Sequence, residues 1–193
     1  IVQTRVRADI GLTFAAGLRA ILRQDPDVIM VGEIRDPETA RVAVQAALTG
    51  HLVISTMHTN SALASVSRLL DLGIEGYLLA DVLRGVVGQR LVRRLCEQCS
   101  QPVDASHFAA YEQAMAAHAA ATNNERANWR EPSGCARCCG GFDGRFGLFE
   151  IISITAELSS AIRRGAGQTT LTESARRAQP ADMLHDGLMK ARA

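Results

Sequence analysis

The stretch Gln24-Asp25-Pro26-Asp27-Val28-Ile29-Met30-Val31-Gly32-Glu33-Ile34-Arg35-Asp36 decides how the rest of the chain is read. Val28 to Val31 form a short, continuous apolar run. That is the pattern of a central parallel strand covered on both faces, and such sheets bind ligands beyond the carboxyl ends of their strands. Glu33 falls at that end. Phosphoryl-transfer sites give a carboxylate placed there one of two tasks, orienting a water or holding Mg2+. A bare VIMVGE also fits a strand end that carries a solvated glutamate, so the neighbouring residues have to decide.

Outward from this block, helix and strand signals alternate, which predicts an α/β fold with a parallel sheet and flanking helices. Phe14 to Arg23 reads as a helix with Phe14, Leu18, Ile21 and Leu22 on one side, ending before Pro26. Asp36 reads as the cap of a second helix, with Pro37 at its first position and Gly50 at its end. Leu52 to Thr56 is the next strand, and Ser61 to Leu72 a helix stopped by Gly73. Ile74 to Leu95 is predicted to be mostly helical, finishing as a short strand through Arg90 to Arg93. His58 lies just past the second strand, so parallel strands place it on the same side as Glu33. A lone histidine in such a place is more often structural than catalytic.

Three segments together carry a family resemblance: Thr13 to Asp27 (TFAAGLRAILRQDPD), Val28 to Asp36 (VIMVGEIRD) and Thr49 to Asn60 (TGHLVISTMHTN). They closely resemble the secretion ATPase superfamily, more narrowly the type II secretion system ATPases (general secretion pathway protein E) and the type IV pilus assembly ATPases. The resemblance implies a partial RecA-like P-loop NTPase core. By the same resemblance Glu33 activates or positions the attacking water, and His58 is a γ-phosphate sensor or transition-state contact. Gly32, Arg35, Asp36, Gly50, His51 and Thr56 fall in the matching Walker B and histidine boxes and are expected to shape the nucleotide site, His51 by packing or hydrogen bonding. The implied cofactors of the full-length protein are ATP and Mg2+. The implied assembly is a homo-hexamer on the cytoplasmic face of the inner membrane, joined to inner-membrane platform proteins, where ATP hydrolysis drives pseudopilus or pilus assembly.

A P-loop needs G-x-x-x-x-G-K-[ST], and the only lysine here is Lys190, in Leu-Met-Lys-Ala-Arg. The first residues resemble the family segment that follows both the Walker A loop and the acidic box. The chain is therefore expected to be the C-terminal part of a longer protein, and to hydrolyse ATP negligibly by itself.

Cys96-Glu-Gln-Cys99 and Cys135-Ala-Arg-Cys138 form two C-x-x-C pairs separated by 35 residues. Paired thiols at this spacing suit a tetrahedral, structural Zn2+ site. Two disulfides are disfavoured in a cytosolic protein, and unrelated thiols rarely fall into two such pairs. Cys139 follows Cys138 directly, and the family pattern after the last cysteine is one residue short here, so either Cys138 or Cys139 is a candidate fourth ligand. The segment between the pairs, Asp104 to Arg130, is alanine-rich, with Phe108, Tyr111 and Met115 spaced as one helical face of a local core. The resemblance ties the tetracysteine to secretion or assembly motors more than to retraction motors.

Beyond the cysteines, Phe142 to Ile152 reads as a hairpin turning at Asp143-Gly144. It matches the family's G-R-x-G-x-x-E through Gly144, Arg145, Gly147 and Glu150. Ala156 to Arg164 and Thr172 to Arg177 read as short helices of a C-terminal subdomain, and by resemblance the chain is expected to stop short of the family's end. The expected division is 1–95 for the ATPase-core part, 96–141 for the tetracysteine insertion and 142–193 for the hairpin and helical subdomain.

Composition fits a folded piece: 193 residues, 47% hydrophobic and 21% charged, enough for one core and a small appended unit. No apolar stretch approaches the roughly 20 residues of a membrane helix, so membrane association is expected through partners. A formal charge of +1 gives no strongly basic surface for nucleic acid. Two other classes stay open: a non-enzymatic, zinc-stabilised interaction module in which Glu33 and His58 are relics, and a conjugation or competence motor of the same superfamily. Near-neutral charge and the tetracysteine weigh against direct DNA handling.

Overall fold

A computed structural model describes residues 2–103, 106, 109, 129–178 and 182–192. The expected stripe of Phe108, Tyr111 and Met115 lies outside the described residues. The chain divides into two compact units, Ile1–Val86 with Ser153–Ala175, and Val87–Ile152 with Arg176–Ala193.

In the first unit, Thr13 caps helix α1 (Phe14–Ile21) by accepting a hydrogen bond from the Ala16 amide at 3.2 Å. A short 3-10 turn, Leu22–Gln24, then leads to Asp25, whose φ of 47° turns the chain into strand β1 (Val28–Val31). Helix α2 (Pro37–Leu48) returns the chain to β2 (Leu52–Ser55). The two strands are parallel, with Val28 opposite Leu52 and Val31 opposite Ser55, as a β-helix-β unit requires. Ile29 and Val31 of β1, Ala15 and Leu18 of α1, and Val42, Ala43 and Ala46 of α2 form one buried cluster, with Val53 packed against it.

The expectation of a strand covered on both faces is corrected. Both helices pack on the Ile29 and Val31 face, and the opposite face stays open, with Val28 55%, Met30 70%, Leu52 53% and Ile54 48% exposed. An apolar run reports the chemistry of both faces of a strand but not what is available to cover them.

The rest of this unit is helical: α3 (Ala64–Asp71), α4 (Gly76–Val82), α5 (Ala156–Arg163) and α6 (Gln168–Ala178). Val66, Leu79, Leu158, Ile162 and Leu171 are almost fully buried among them. Helices α4 and α5 approach so closely that a Cβ on Gly76 would lie 2.7 Å from the Ile162 carbonyl oxygen. The Ser159 hydroxyl donates to the Ala80 carbonyl at 3.1 Å, and Arg163 pairs with Asp81. The expected helix over Ile74 to Leu95 is also corrected: α4 ends at Val82, and Gly85–Leu95 is an eleven-residue strand, β3. Gly85 and Gly88 disfavour helix there, while Val86, Val87 and Val92 favour strand, and the strand gains a partner that lies far along the sequence.

The second unit pairs β3 with β6 (Phe142–Ser153), and β4 (Gln101–Pro102) with β5 (Arg130–Glu131) in antiparallel register. The expected turn at Asp143-Gly144 lies inside β6. The tight turn comes earlier, at Gly140-Gly141, where both φ angles are positive (59° and 89°) and Cys139 and Phe142 exchange backbone hydrogen bonds. Two consecutive glycines meet that demand better than Asp-Gly. The final helix, α7 (Met183–Arg192), is held to β6 by Asp186, which accepts from the Phe149 amide at 2.9 Å, and by Lys190, which donates to the Gly147 carbonyl at 2.9 Å. No helix among the described residues is long and apolar enough to cross a membrane.

Candidate functional site

Parallel pairing sets the geometry of the first site. Because Val31 stands opposite Ser55, the residues after β1 and those after β2 leave the sheet side by side. The two exits are stitched together. The Ser55 hydroxyl donates to the Val31 carbonyl at 2.9 Å, the Thr56 hydroxyl to the Gly32 carbonyl at 2.6 Å, and the Ile34 amide to the Thr56 carbonyl at 3.2 Å.

Glu33 and His58 project from these joined exits. Glu33 Oε1 lies 3.5 Å from His58 Nε2, and Oε2 lies 2.6 Å from an Arg35 guanidinium nitrogen. The Glu33 side chain is 16% exposed, against 71% for Arg35 and 86% for His58, so a shielded carboxylate is met by a guanidinium and an imidazole reaching in from solvent. The Arg35 guanidinium holds the Glu33 carboxyl below the usual glutamate range; partial burial opposes it and His58 adds a smaller pull the same way. Glu33 raises Arg35 in return. The arrangement presents an ionised acceptor beside an imidazole at the carboxyl end of a parallel strand pair.

Asp36, two residues beyond Ile34, spends its side chain on the helix. Its Oδ1 accepts from the Thr39 amide and its Oδ2 from the Thr39 hydroxyl, both at 2.8 Å, which caps α2. These bonds lower its pKa. Gly50 and His51 lie at the other end of β2 from His58. Gly50 takes a φ of 102° at the end of α2. His51 Nδ1 lies 2.9 Å from the Ala46 carbonyl, so that nitrogen carries the proton and ties down the last turn of the helix. The structure thus brings Gly32, Glu33, Arg35, Thr56 and His58 together and places Asp36, Gly50 and His51 at the two ends of α2.

The second site is the cysteine knuckle. The sulfurs of Cys96, Cys99, Cys135 and Cys138 all lie within 4.8 Å of one another, and Cys138 Sγ is 3.7 Å from both Cys99 Sγ and Cys135 Sγ. A tetrahedral zinc with Zn–S bonds of about 2.3 Å needs sulfurs about 3.8 Å apart, so the four fit that ion. Cys139 is exposed and outside the set, which makes Cys138 the fourth member. Amides of Cys135 and Gly141 each donate to Cys138 Sγ at 3.3 Å. These bonds, that of Cys135 first, bring the Cys138 thiol down to about 7, whereas burial pushes Cys99 up to about 12. A cation is the natural remedy for a buried thiol that resists ionisation.

Sequence reading missed three supports. Ser55 is an ordinary strand residue until its carbonyl partner is known. Gly141 allows the chain to pass Pro132, where a Cβ would come within 2.4 Å. Arg130 donates to both the hydroxyl and the carbonyl of Ser100, clasping the knuckle to β5 across thirty residues that carry no signal for it. Of these, only the paired glycines were legible in principle.

Comparison with known proteins gives one consistent answer. The profile of the family described as "Type II/IV secretion system protein" matches residues 1–193. The chain is 51% identical over 172 residues to the type II secretion system protein E of Klebsiella pneumoniae, covering 89% of this chain and 33% of that protein. It is 45% identical over 190 residues to the type IV pilus assembly ATPase PilB of Thermus thermophilus, covering 98% of this chain and 21% of the relative. Among solved structures it is similar to the pilus retraction motor PilT with bound ADP, with a TM-score of 0.56 and 28% identity over 89% of this chain and 37% of that one. The chain spans about a third or less of the length of these curated relatives. The chain belongs to the family of type II/IV secretion system proteins.

Proposed function

We propose that these residues form part of an ATP-hydrolysing secretion motor, contributing part of a RecA-like core (1–95), a structural zinc insertion (96–141) and a C-terminal subdomain (142–193). The observation that carries this reading is the shielded Glu33 carboxylate beside His58 at the carboxyl end of the parallel pair. Glu33 orients or activates the attacking water, and His58 contacts the terminal phosphate. Gly32 and Thr56 hold the two loops in register, Arg35 shapes the site beside Glu33, and Asp36, Gly50 and His51 fix the helix between the strands. ATP and Mg2+ supply the phosphoryl group and its charge neutralisation in the full-length protein. The phosphates need a cradle that these 193 residues do not contain, since Lys190 lies in α7, paired with Asp186.

The full-length protein works as a homo-hexamer at the cytoplasmic face of the inner membrane, engaged with platform proteins, and powers type II secretion or type IV pilus assembly. Similarity to both protein E and PilB relatives supports this role.

The test is twofold. The gene upstream of the Ile1 codon is read for an in-frame G-x-x-x-x-G-K-[ST], which the proposal requires. The isolated chain is assayed for ATP hydrolysis, expected at background for both wild type and Glu33→Gln. A stop codon immediately upstream would make the chain a zinc-bearing remnant. Steady turnover by the isolated chain, lost on Glu33→Gln, would refute dependence on the missing cradle.

A further inference from the structure

Glu33 has two basic neighbours, Arg35 and His58, and the geometry gives them unequal parts. Its backbone is fixed, because the Thr56 hydroxyl bonds Gly32 on one side and the Thr56 carbonyl receives the Ile34 amide on the other. What remains free is the side chain. Arg35 meets Oε2 at 2.6 Å, a charge-assisted hydrogen bond, whereas His58 stands 3.5 Å from Oε1, too far for a strong one. The two oxygens are therefore not equivalent.

We propose that Arg35 is the positioning residue for Glu33: it holds Oε2, so that Oε1 turns toward His58 and is the oxygen that meets the attacking water. The proposal rests on the reading of Glu33 as the water-orienting carboxylate. It assigns the division of labour within that site, with Arg35 acting through Glu33 and making no contact of its own with the reacting atoms. A guanidinium suits the task, being charged at every relevant pH and able to grip one oxygen without a proton to lose. His58, 3.5 Å from Oε1, offers no comparable grip. The exposure of Arg35 also means that its replacement removes one grip without opening the core.

The test reads Glu33 directly in the 193-residue chain, without nucleotide, by carboxyl-carbon NMR across an acid titration. The charged groups facing Glu33 among the described residues are Arg35 from its own loop and His58 from the loop after β2. Arg35→Gln is expected to raise the Glu33 midpoint and to make the side chain populate more than one rotamer. Arg35→Lys should restore most of the midpoint, and His58→Gln should move it less than Arg35→Gln. A larger shift from His58→Gln, or an unchanged midpoint in Arg35→Gln, overturns the assignment. Either result leaves the ATPase reading standing, because that reading is decided by the upstream gene and the hydrolysis assay. Amide spectra of each variant show that the fold is kept, so an altered midpoint reports the carboxylate itself.

Discussion

Asp36→Ala is the most informative single change for the stability of the strand-helix-strand unit. Asp36 makes two hydrogen bonds with Thr39, one to its amide and one to its hydroxyl, and Thr39 is 1% exposed. Loss of an N-cap costs about 1 kcal/mol. The orphaned, buried Thr39 hydroxyl adds roughly 1–3 kcal/mol, because no water reaches it in exchange. The sum is about 2–4 kcal/mol, large for a residue at the edge of an element. Asp36→Asn keeps an acceptor for the amide and offers an N–H to the hydroxyl oxygen, so it should cost under about 1 kcal/mol. Adding Thr39→Val to Asp36→Ala removes the orphan and should recover most of its share, in a cycle where neighbouring changes are not additive.

The pH dependence has a definite sign. Bonds from Thr39 lower the Asp36 pKa in the folded state. Its stabilisation is therefore complete above the unfolded value, near 3.9, and is lost as pH falls through the lower folded value. The assay is urea unfolding followed by far-UV circular dichroism, with hydrogen exchange of the α2 amides to localise the change. The single tryptophan, Trp129, lies in the other unit and would follow the wrong transition. A cost for Asp36→Ala below about 0.5 kcal/mol, or no recovery on adding Thr39→Val, would refute the reasoning.

Gly76→Ala should destabilise by about 1–3 kcal/mol in thermal melts, because its Cβ would lie 2.7 Å from a backbone oxygen that cannot swing aside. Gly17→Ala, in α1 with nothing within 4 Å of its Cβ, should be neutral or stabilising by up to about 1 kcal/mol, and equal losses at the two sites would contradict the packing. Chelation is expected to loosen residues 96–139 while sparing the strand-helix-strand core, since comparable zinc sites contribute roughly 10–16 kcal/mol in small peptides; unchanged protease sensitivity of that segment would sink this. Cys138→Ser should lose bound zinc by elemental analysis while Cys139→Ser retains it, and the opposite result would move the fourth ligand.

What could be read in the sequence was what is local. The Asp36-Pro37 cap, the turn at Gly50 and the paired C-x-x-C motifs depend on residues a few positions apart, and each falls where its chemistry predicts. Placing His58 beside Glu33 needed one further step, parallel pairing, which the alternation of elements supplies. The errors came where the answer depends on a distant partner. Strand β3 was read as helix because its partner β6 begins some fifty residues later. The open face of Val28, Met30, Leu52 and Ile54 was read as covered because apolar residues do not say what packs on them. Arg130 reaching Ser100 belongs to the same class.

The two sites also stabilise their anions by different means, and the difference matches their proposed tasks. Cys138 is served by the backbone amides of Cys135 and Gly141, donors fixed by the knuckle's own turns, one of which only glycine can make. Those partners cannot leave while the knuckle is folded, which suits a closed structural ligand set. Glu33 is served by side chains that enter from solvent, with Arg35 gripping Oε2. An exposed guanidinium that grips one oxygen sets the carboxylate's orientation without tying it to the backbone of the loop. Backbone donors serve the cysteine knuckle and side-chain donors the carboxylate, the distribution expected if the knuckle holds the fold and the Glu33 site does chemistry.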